Sequence, residues 1–435
     1  MQDHPATRFL AAERPVRACL VGAGKFGSMF LSQVPKVPSI IVTDIVDLSP
    51  DRAREACRRV GWDEKRIAEV RFSDDAAATI HSTEAEVLVE ATGHPGAGIF
   101  HAEAAFAAGR HVVMVNVEAD VLAGPLLARH AAEAGVIYGL AYGDQPALIC
   151  ELVEWARTCG FDVVGAGKGT RYLPSFHAST PATVWKNRGV NPADAEKGGM
   201  NPQMFNSFID GTKSAIEMAA VANATGLLPA ENGLTFPPAS IEQLPQILKP
   251  ASAGGTLERA GQVEVVSSAN RDGSNVPNNI RWGVFVTFTS DNEYTRRCFR
   301  EYGLATDDTG RYGVLYRPFH LIGLEVNVSI LSAALRREPT GCASGFRADV
   351  VATAKRALKK GEVLDGEGGY MAWGKLMPAA KSMAVGGLPI GLAHGIALAR
   401  DVAEGASLTW DDVSVDPTNA AYRFRREMER TLAGT

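Results

Sequence analysis

The chain has 435 residues, 46% of them apolar and 21% charged, a composition typical of folded proteins and a length that predicts two or three domains. A formal net charge of -5 leaves no global basic field for nucleic acid or an anionic membrane. The start MQDHPATRFLAAERP has no apolar h-region, no apolar run reaches the ~18 residues of a spanning helix, and six scattered cysteines form no CxxC pair or disulfide framework, so a reducing cytoplasm is expected.

Residues 16–30, VRACLVGAGKFGSMF, read as a strand, a glycine turn and a helix. Gly22, Gly24 and Gly27 have the spacing of a dinucleotide-binding loop, which also carries Lys25 and Phe26. The next strand, IIVTDIVDLS, ends in Asp47, 20 residues beyond Gly27, where such a fold places the acid that binds the ribose hydroxyls. A carboxylate there favours NAD, because it repels a 2′-phosphate. Arg52 and Arg54 are close enough in sequence to accept NADP instead. Alternating strands and helices follow: VLVEATG (87–93), a helix at 99–109, HVVMVNVEAD (111–120), a helix at 124–135 and VIYGLAYGDQPA (136–147). They predict a parallel, doubly wound Rossmann sheet over residues 1–155. Thr92, Gly93, His94, Asn116, Glu118 and Asp144 fall at carboxyl ends of strands, where ligands bind in such sheets. Of these, Thr92, Gly93, Asn116 and Glu118 are taken as cofactor contacts. His94 is not taken as a catalytic acid.

Residues 156–340 read as an α+β substrate and oligomerisation domain with an open sheet. FDVVGAGKGTRYLP (161–174) suggests a strand and then a glycine-rich turn holding Lys168. Residues 175–202 are polar and broken by Pro and Gly, as in a lid or an oligomer contact. FNSFIDGTKSAIEMAAVANATG (205–226) reads as one helix, with Asn206, Asp210, Lys213 and Glu217 on one face. A salt-bridged solvated face explains that spacing; so does a reaction chamber. Carbonyl reduction needs a hydride donor, a cation or donor at the developing alkoxide, and a proton. Lys168 and Lys213 are candidates for the last two, with Asp210 holding an ammonium in place. Glu217 and Asn206 would bind substrate hydroxyls, and Arg317 and His320 an anionic end. Asp210, Glu217 and a sugar-like substrate are also compatible with a shared divalent cation, although no ligand spacing demands one.

Residues 341–435 read as a small β-rich domain with a short internal repeat. VVATAKRALKKG before EVLDGEGGY resembles IALARDVAEG before ASLTWDDV. Lys375 and Lys381 are expected to be solvated.

The motifs VGAGKFG, VMVNVEADV, AGKG, FIDGTKSAIEMAAVANATGL, YRPFHL and KKGEVLDGEGGY resemble those of the homoserine-dehydrogenase-like oxidoreductases with a C-terminal SAF (β-clip) domain. The resemblance extends to the deoxyxylulose-phosphate reductoisomerase-like branch and spans most of residues 16–415. It implies a Rossmann domain, a substrate domain and a SAF cap, with NAD(P)-dependent chemistry at a carbonyl or alcohol in a homo-oligomer, a dimer or tetramer. The branch shares the IDG(T/S)K, AGKG and YRP(F/Y)HL segments, so Lys168, Asp210, Lys213, Arg317 and His320 carry over as site residues. The turn VNVEAD keeps Asn116 but has Val117 and Glu118 after it, a departure from the homoserine dehydrogenases. The expected activity is oxidoreduction of a small polyhydroxylated or phosphorylated substrate, with or without isomerisation. The alternatives are a homoserine-type dehydrogenase and a non-catalytic dinucleotide-binding regulator.

Overall fold

The computed structural model describes residues 14–197 and 200–432. The chain forms two compact units. One comprises the chain up to Leu148 with His320–Ser344, the other Ile149–Phe319 with the chain from Gly345 onward. No helix among the described residues is long and apolar enough to cross a membrane.

The first unit is built on six strands: β1 (Val16–Val21), β2 (Ile40–Val46), β3 (Arg71–Ser73), β4 (Val87–Glu90), β5 (His111–Met114) and β6 (Tyr138–Leu140). They pair in parallel in the order β3-β2-β1-β4-β5-β6. This is the doubly wound Rossmann order, whose strand sequence reverses beside β1 and opens a ligand crevice there. Strands buried on both faces read as continuous apolar runs, and Leu20, Ile45, Val89 and Val113 accordingly share a core with Phe30 and Leu31. The segment 320–344, expected to end the middle domain and begin the C-terminal one, packs in this unit instead. Its apolar run places Val326, Ile330 and Leu331 in the same core. Its end covers the outer edge of β6, where Leu140 N–H donates to Gly341 O at 2.8 Å and Thr340 Oγ1 donates to Leu140 O at 2.6 Å.

The same unit buries a carboxyl group completely. Asp120, on the helix Val117–Glu133, accepts a hydrogen bond from the Tyr138 hydroxyl at 2.8 Å. Its other oxygen has no partner among the described residues. Burial pushes its pKa up to about 6. The folded state therefore keeps a proton that the unfolded state releases near pH 4. Stability from this group is complete below about pH 4 and is lost as pH rises through about 6, a change of up to about 3 kcal/mol. Asp120→Asn should thus gain stability relative to wild type between pH 4 and pH 7. Urea denaturation of both proteins across that range checks this, and a constant difference would contradict it.

The second unit centres on a sheet of β7 (Asp162–Thr170), β8 (Gln262–Ser267), β9 (Val284–Thr289) and β10 (Tyr312–Arg317), in the order β10-β9-β7-β8. β7 and β8 are parallel and the other pairs antiparallel. Lys168 lies within β7 and not in a turn. The glycines around it serve close packing: a Cβ at Gly167 would run into the Glu264 carbonyl, and one at Gly169 into the Ile280 carbonyl. The sheet is open, with β10 and β8 as its edges, but its faces are covered. Leu244 and Leu248, in the proline-rich stretch expected only as a separator, pack with Val266, Phe285 and Val314 on one face. The helix Thr212–Thr225 packs against β7 and β8. The polar stretch after β7 is also partly core, with Phe176 and Val184 packed on Phe205 and Ile209.

The expected single helix over 205–226 is two helices, Pro202–Ile209 and Thr212–Thr225. They break at Asp210-Gly211, where Gly211 takes φ +94°, a left-handed conformation that suits glycine. The Asp210 carboxylate accepts the Thr212 N–H at 2.9 Å and so competes with a continuous helix. Asn206 therefore belongs to one helix, Asp210 caps its end, and Lys213 and Glu217 belong to the next.

The C-terminal part contributes β11 (Ala348–Ala354), β12 (Val363–Asp365), β13 (Ala372–Pro378) and β14 (His394–Ala397). β11 pairs with β13, β12 with β14, and the β11–β13 ribbon packs on the helix Thr212–Thr225. The two repeats pair with each other. Leu358 and Val402 occupy equivalent places in them and exchange backbone hydrogen bonds at 2.9 and 3.0 Å, as at a local two-fold axis.

Candidate active site

In the first unit the glycine loop has the shape a dinucleotide requires. A Cβ at Gly22 would sit 2.7 Å from the Ala91 carbonyl, and one at Gly27 would meet the Gly22 carbonyl. Gly24 faces open space, with no atom within 4 Å of a would-be Cβ. The helix Lys25–Gln33 starts there, and no side chain caps its first turn. Open space beside uncapped N–H groups at a helix N-terminus suits a pyrophosphate. Asp47 ties this loop to β2, accepting the Ala23 N–H and the Ser49 N–H, each at 3.0 Å. Arg52 Nη2 lies 3.6 Å from it. Phe26 packs against the core.

The strand-end residues divide between support and exposure. Asn116 is buried and caps its helix through the Ala119 N–H, while its Nδ2 donates to His94 O at 3.0 Å. It thus joins the loops after β4 and β5. Thr92 donates to buried Glu90 at 2.6 Å. Gly93 has open space beside it, and Glu118 is in the first turn of the helix Val117–Glu133. His94 caps the helix Pro95–Ala107 through Nδ1.

In the second unit Lys168 and Glu217 meet. The ammonium on β7 donates to the carboxylate on the helix Thr212–Thr225, and both side chains are buried. Water-poor surroundings make such a pair costly to form and costly to break. Lys213 is half-buried on the same helix. Arg317 ends β10 and lies over the Phe319 ring at 5.1 Å. His320 belongs to the first unit.

Asp210 is also buried, and its partner is Lys355 of β11's C-terminal flank, which sequence reasoning missed. Lys355 Nζ donates to Asp210 Oδ2 at 2.8 Å, to Ser179 O at 2.7 Å and to Gly369 O at 2.7 Å, which uses all three ammonium hydrogens. Burial pushes the Asp210 carboxyl above its ordinary range, and Lys355 opposes this. Asn206 reinforces the junction. Its amide accepts from Ser179 Oγ at 2.7 Å and donates to Ser179 O and Gly368 O at 2.9 and 2.8 Å.

A second missed group surrounds the helix break. His177 Nδ1 donates to the Asp210 carbonyl at 2.7 Å, so in the neutral ring Nε2 accepts from the Tyr172 hydroxyl at 2.9 Å. The His177 ring stacks on Trp373 at 3.7 Å, and Tyr172 stacks on Phe236 at 3.9 Å. Burial, with the charges of Lys355 and Lys375, pushes the His177 pKa down. The repeat held a signal for Lys355, because the equivalent place in the second copy is the uncharged Ala399.

Asp210 and Glu217, considered above as sharing a cation, are each paired with a lysine. Among the described residues no three His, Cys, Asp or Glu side chains come together as a metal site.

Residues 143–326 match the model of the family described as oxidoreductase DRL, catalytic domain. That segment carries Lys168, Asp210, Lys213, Glu217, Arg317 and His320 and supports an oxidoreductase. Among solved structures, the chain is similar to scyllo-inositol dehydrogenase from Lactobacillus casei with bound NAD(H) and scyllo-inositol, at 12% identity over 76% of this chain and 92% of that one, with a TM-score of 0.38. It is similar to a probable dehydrogenase from Thermotoga maritima, at 13% identity over 73% and 87% of the two chains, with a TM-score of 0.38. It is also similar to an inositol dehydrogenase homolog from Azotobacter vinelandii complexed with NADH and myo-inositol, at 21% identity over 40% and 47%, with a TM-score of 0.28. No match was found among curated proteins.

Proposed function

We propose that the chain is an NAD(P)-dependent oxidoreductase of a small polyhydroxylated or phosphorylated compound, working as a homo-oligomer. The observation that carries this reading is the buried Lys168–Glu217 pair inside the segment that matches an oxidoreductase catalytic domain. Gly22, Gly24, Gly27 and Asp47 would hold the dinucleotide, with Lys25, Thr92, Gly93, Asn116 and Glu118 around it. A bound nicotinamide supplies or accepts the hydride.

In this mechanism Lys168 donates a hydrogen bond to the substrate oxygen and carries its proton as charge develops there. Glu217 keeps Lys168 oriented and accepts from a neighbouring substrate hydroxyl. Lys213 is a second donor. Asp210 acts through the helix break it stabilises, setting where Lys213 and Glu217 begin. The motif resemblance favours a finer reading, reductoisomerisation of a phosphorylated sugar.

The cofactor assignment is tested by titrating the protein with NADH and NADPH and following nicotinamide fluorescence. Wild type should prefer NADH, and Asp47→Ala should weaken NADH at least about tenfold, as expected for lost hydrogen bonds to a charged group. A wild-type preference for NADPH would overturn the role given to Asp47. Binding of neither would favour a protein without this chemistry.

A further inference from the structure

Three arginines of the second unit lie together without a carboxylate. Arg171 follows β7, and Arg281 precedes β9. The strand brings them alongside each other: a Cβ at Gly169 would lie 3.0 Å from Arg281 Cα, and Gly169 N–H donates to Gly283 O at 3.0 Å. Arg188 ends the short helix Val184–Arg188. The positive charges of both Arg188 and Arg171 act on Arg281, and among the described residues none of the three guanidiniums forms an ion pair.

Each guanidinium is braced in a way that leaves donors available. Arg188 lies over the Phe205 ring at 4.7 Å and Arg281 over the Trp282 ring at 4.8 Å. Stacking on a ring fixes the guanidinium plane but uses none of its N–H groups. Among the described residues neither guanidinium makes a hydrogen bond or an ion pair with a protein group. Arg171 is held by the loop opposite, donating to Asn275 Oδ1 at 2.7 Å and Gly273 O at 3.2 Å. All three are half-buried. Burial and mutual repulsion hold the Arg281 pKa below its usual range, and burial does the same for Arg188. Like charges gathered and partly desolvated destabilise a fold unless a counter-charge joins them.

We propose that Arg171, Arg188 and Arg281 form a seat for a doubly charged oxyanion, a phosphate monoester or free inorganic phosphate. Planar forks match phosphate oxygens in bidentate fashion, and three of them neutralise a dianion with charge to spare. If the anion is an ester, it is the phosphate end of the substrate; only that version rests on the oxidoreductase reading above.

The test is calorimetric titration and thermal unfolding of the full chain with inorganic phosphate and, separately, glycerol 3-phosphate, at ionic strength matched with potassium chloride. Wild type should bind saturably and gain thermal stability with ligand. Arg188→Gln and Arg281→Gln should each weaken binding at least about tenfold. Without ligand each should unfold no earlier than wild type, because one of three repelling charges is gone. A purely structural arginine would instead lower the unfolding temperature when replaced. Arg281→Lys, which keeps the charge but not the fork, should fold normally and bind with intermediate strength. Arg259→Gln, at a half-buried arginine paired with Glu231 and outside the cluster, should leave binding unchanged. Tighter binding of glycerol 3-phosphate than of phosphate assigns the seat to an ester; the reverse assigns it to the free anion. Absence of saturable wild-type binding, or binding unchanged in both glutamine variants, overturns the proposal. Because the readout is anion binding, its failure leaves the dinucleotide titration untouched.

Discussion

Lys355→Met should destabilise the second unit by about 3–5 kcal/mol, the usual cost of removing one partner of a buried ion pair. The lysine side chain is 2% exposed and Asp210 is completely buried. Its loss strands a carboxylate that keeps the hydrogen bonds from Thr212, leaves the Ser179 carbonyl with the Asn206 amide, and takes a donor from the Gly369 carbonyl. The damage should depend on pH with a definite sign. The Asp210 pKa is already raised by burial, and without Lys355 only the hydrogen bonds from Thr212 oppose that rise. The variant should therefore recover part of its stability in acid, where the carboxyl is neutral, and lose it as pH rises. Asp210→Asn added to Lys355→Met should restore much of the loss at neutral pH, giving a strongly non-additive double-mutant cycle. Urea unfolding at two pH values measures all of this. Additive single effects would mean that the pair is not coupled.

Lys168→Met should reduce turnover about 100- to 1,000-fold, the typical effect of removing one donor from a developing oxyanion. Dinucleotide affinity should remain near wild type, because the glycine loop is on the other unit. The split between turnover and cofactor binding separates loss of chemistry from loss of fold. Glu217 adds a check. Glu217→Gln keeps the shape but removes the charge that holds the Lys168 ammonium, so activity should fall while dinucleotide affinity stays near wild type. Lys213→Ala is the companion measurement. Near-wild-type turnover in Lys213→Ala alone would leave Lys168 as the proton carrier. Near-wild-type turnover in both lysine variants would remove the assignment.

Sequence reading reached different depths in different places, for physical reasons. The Rossmann unit was legible because its signals are local: glycine spacing, an acid at a strand end and apolar runs alternating with helices. Lys168 and Glu217 were picked out from residue type, but their mutual contact was not, since strand and helix lie 49 positions apart in the chain. The helix break was readable in principle from the Asp-Gly pair. The i, i+4 spacing pointed the other way, and the left-handed glycine overrode it. The repeat set Lys355 apart, but its contact with Asp210 was out of reach, because the two meet across 145 positions. The terminal repeat was visible as a pattern, but a pattern does not say that its copies pair with each other. The return of 320–344 to the first unit was likewise invisible, since an apolar run does not name the core it enters.

The cover supplied by β11 and β13 has a consequence for how the protein is made. The helix Thr212–Thr225 emerges from the ribosome roughly 120 residues before β11, the strand that covers it. At ordinary elongation rates of about 5–20 residues per second, that helix waits on the order of ten seconds with an apolar flank uncovered. Meanwhile Asp210 has no cation beside it. The helix carrying Lys213 and Glu217 is therefore among the last parts of the second unit to be enclosed, and a ribosome that stalls before residue 348 leaves an exposed apolar helix for chaperones to hold.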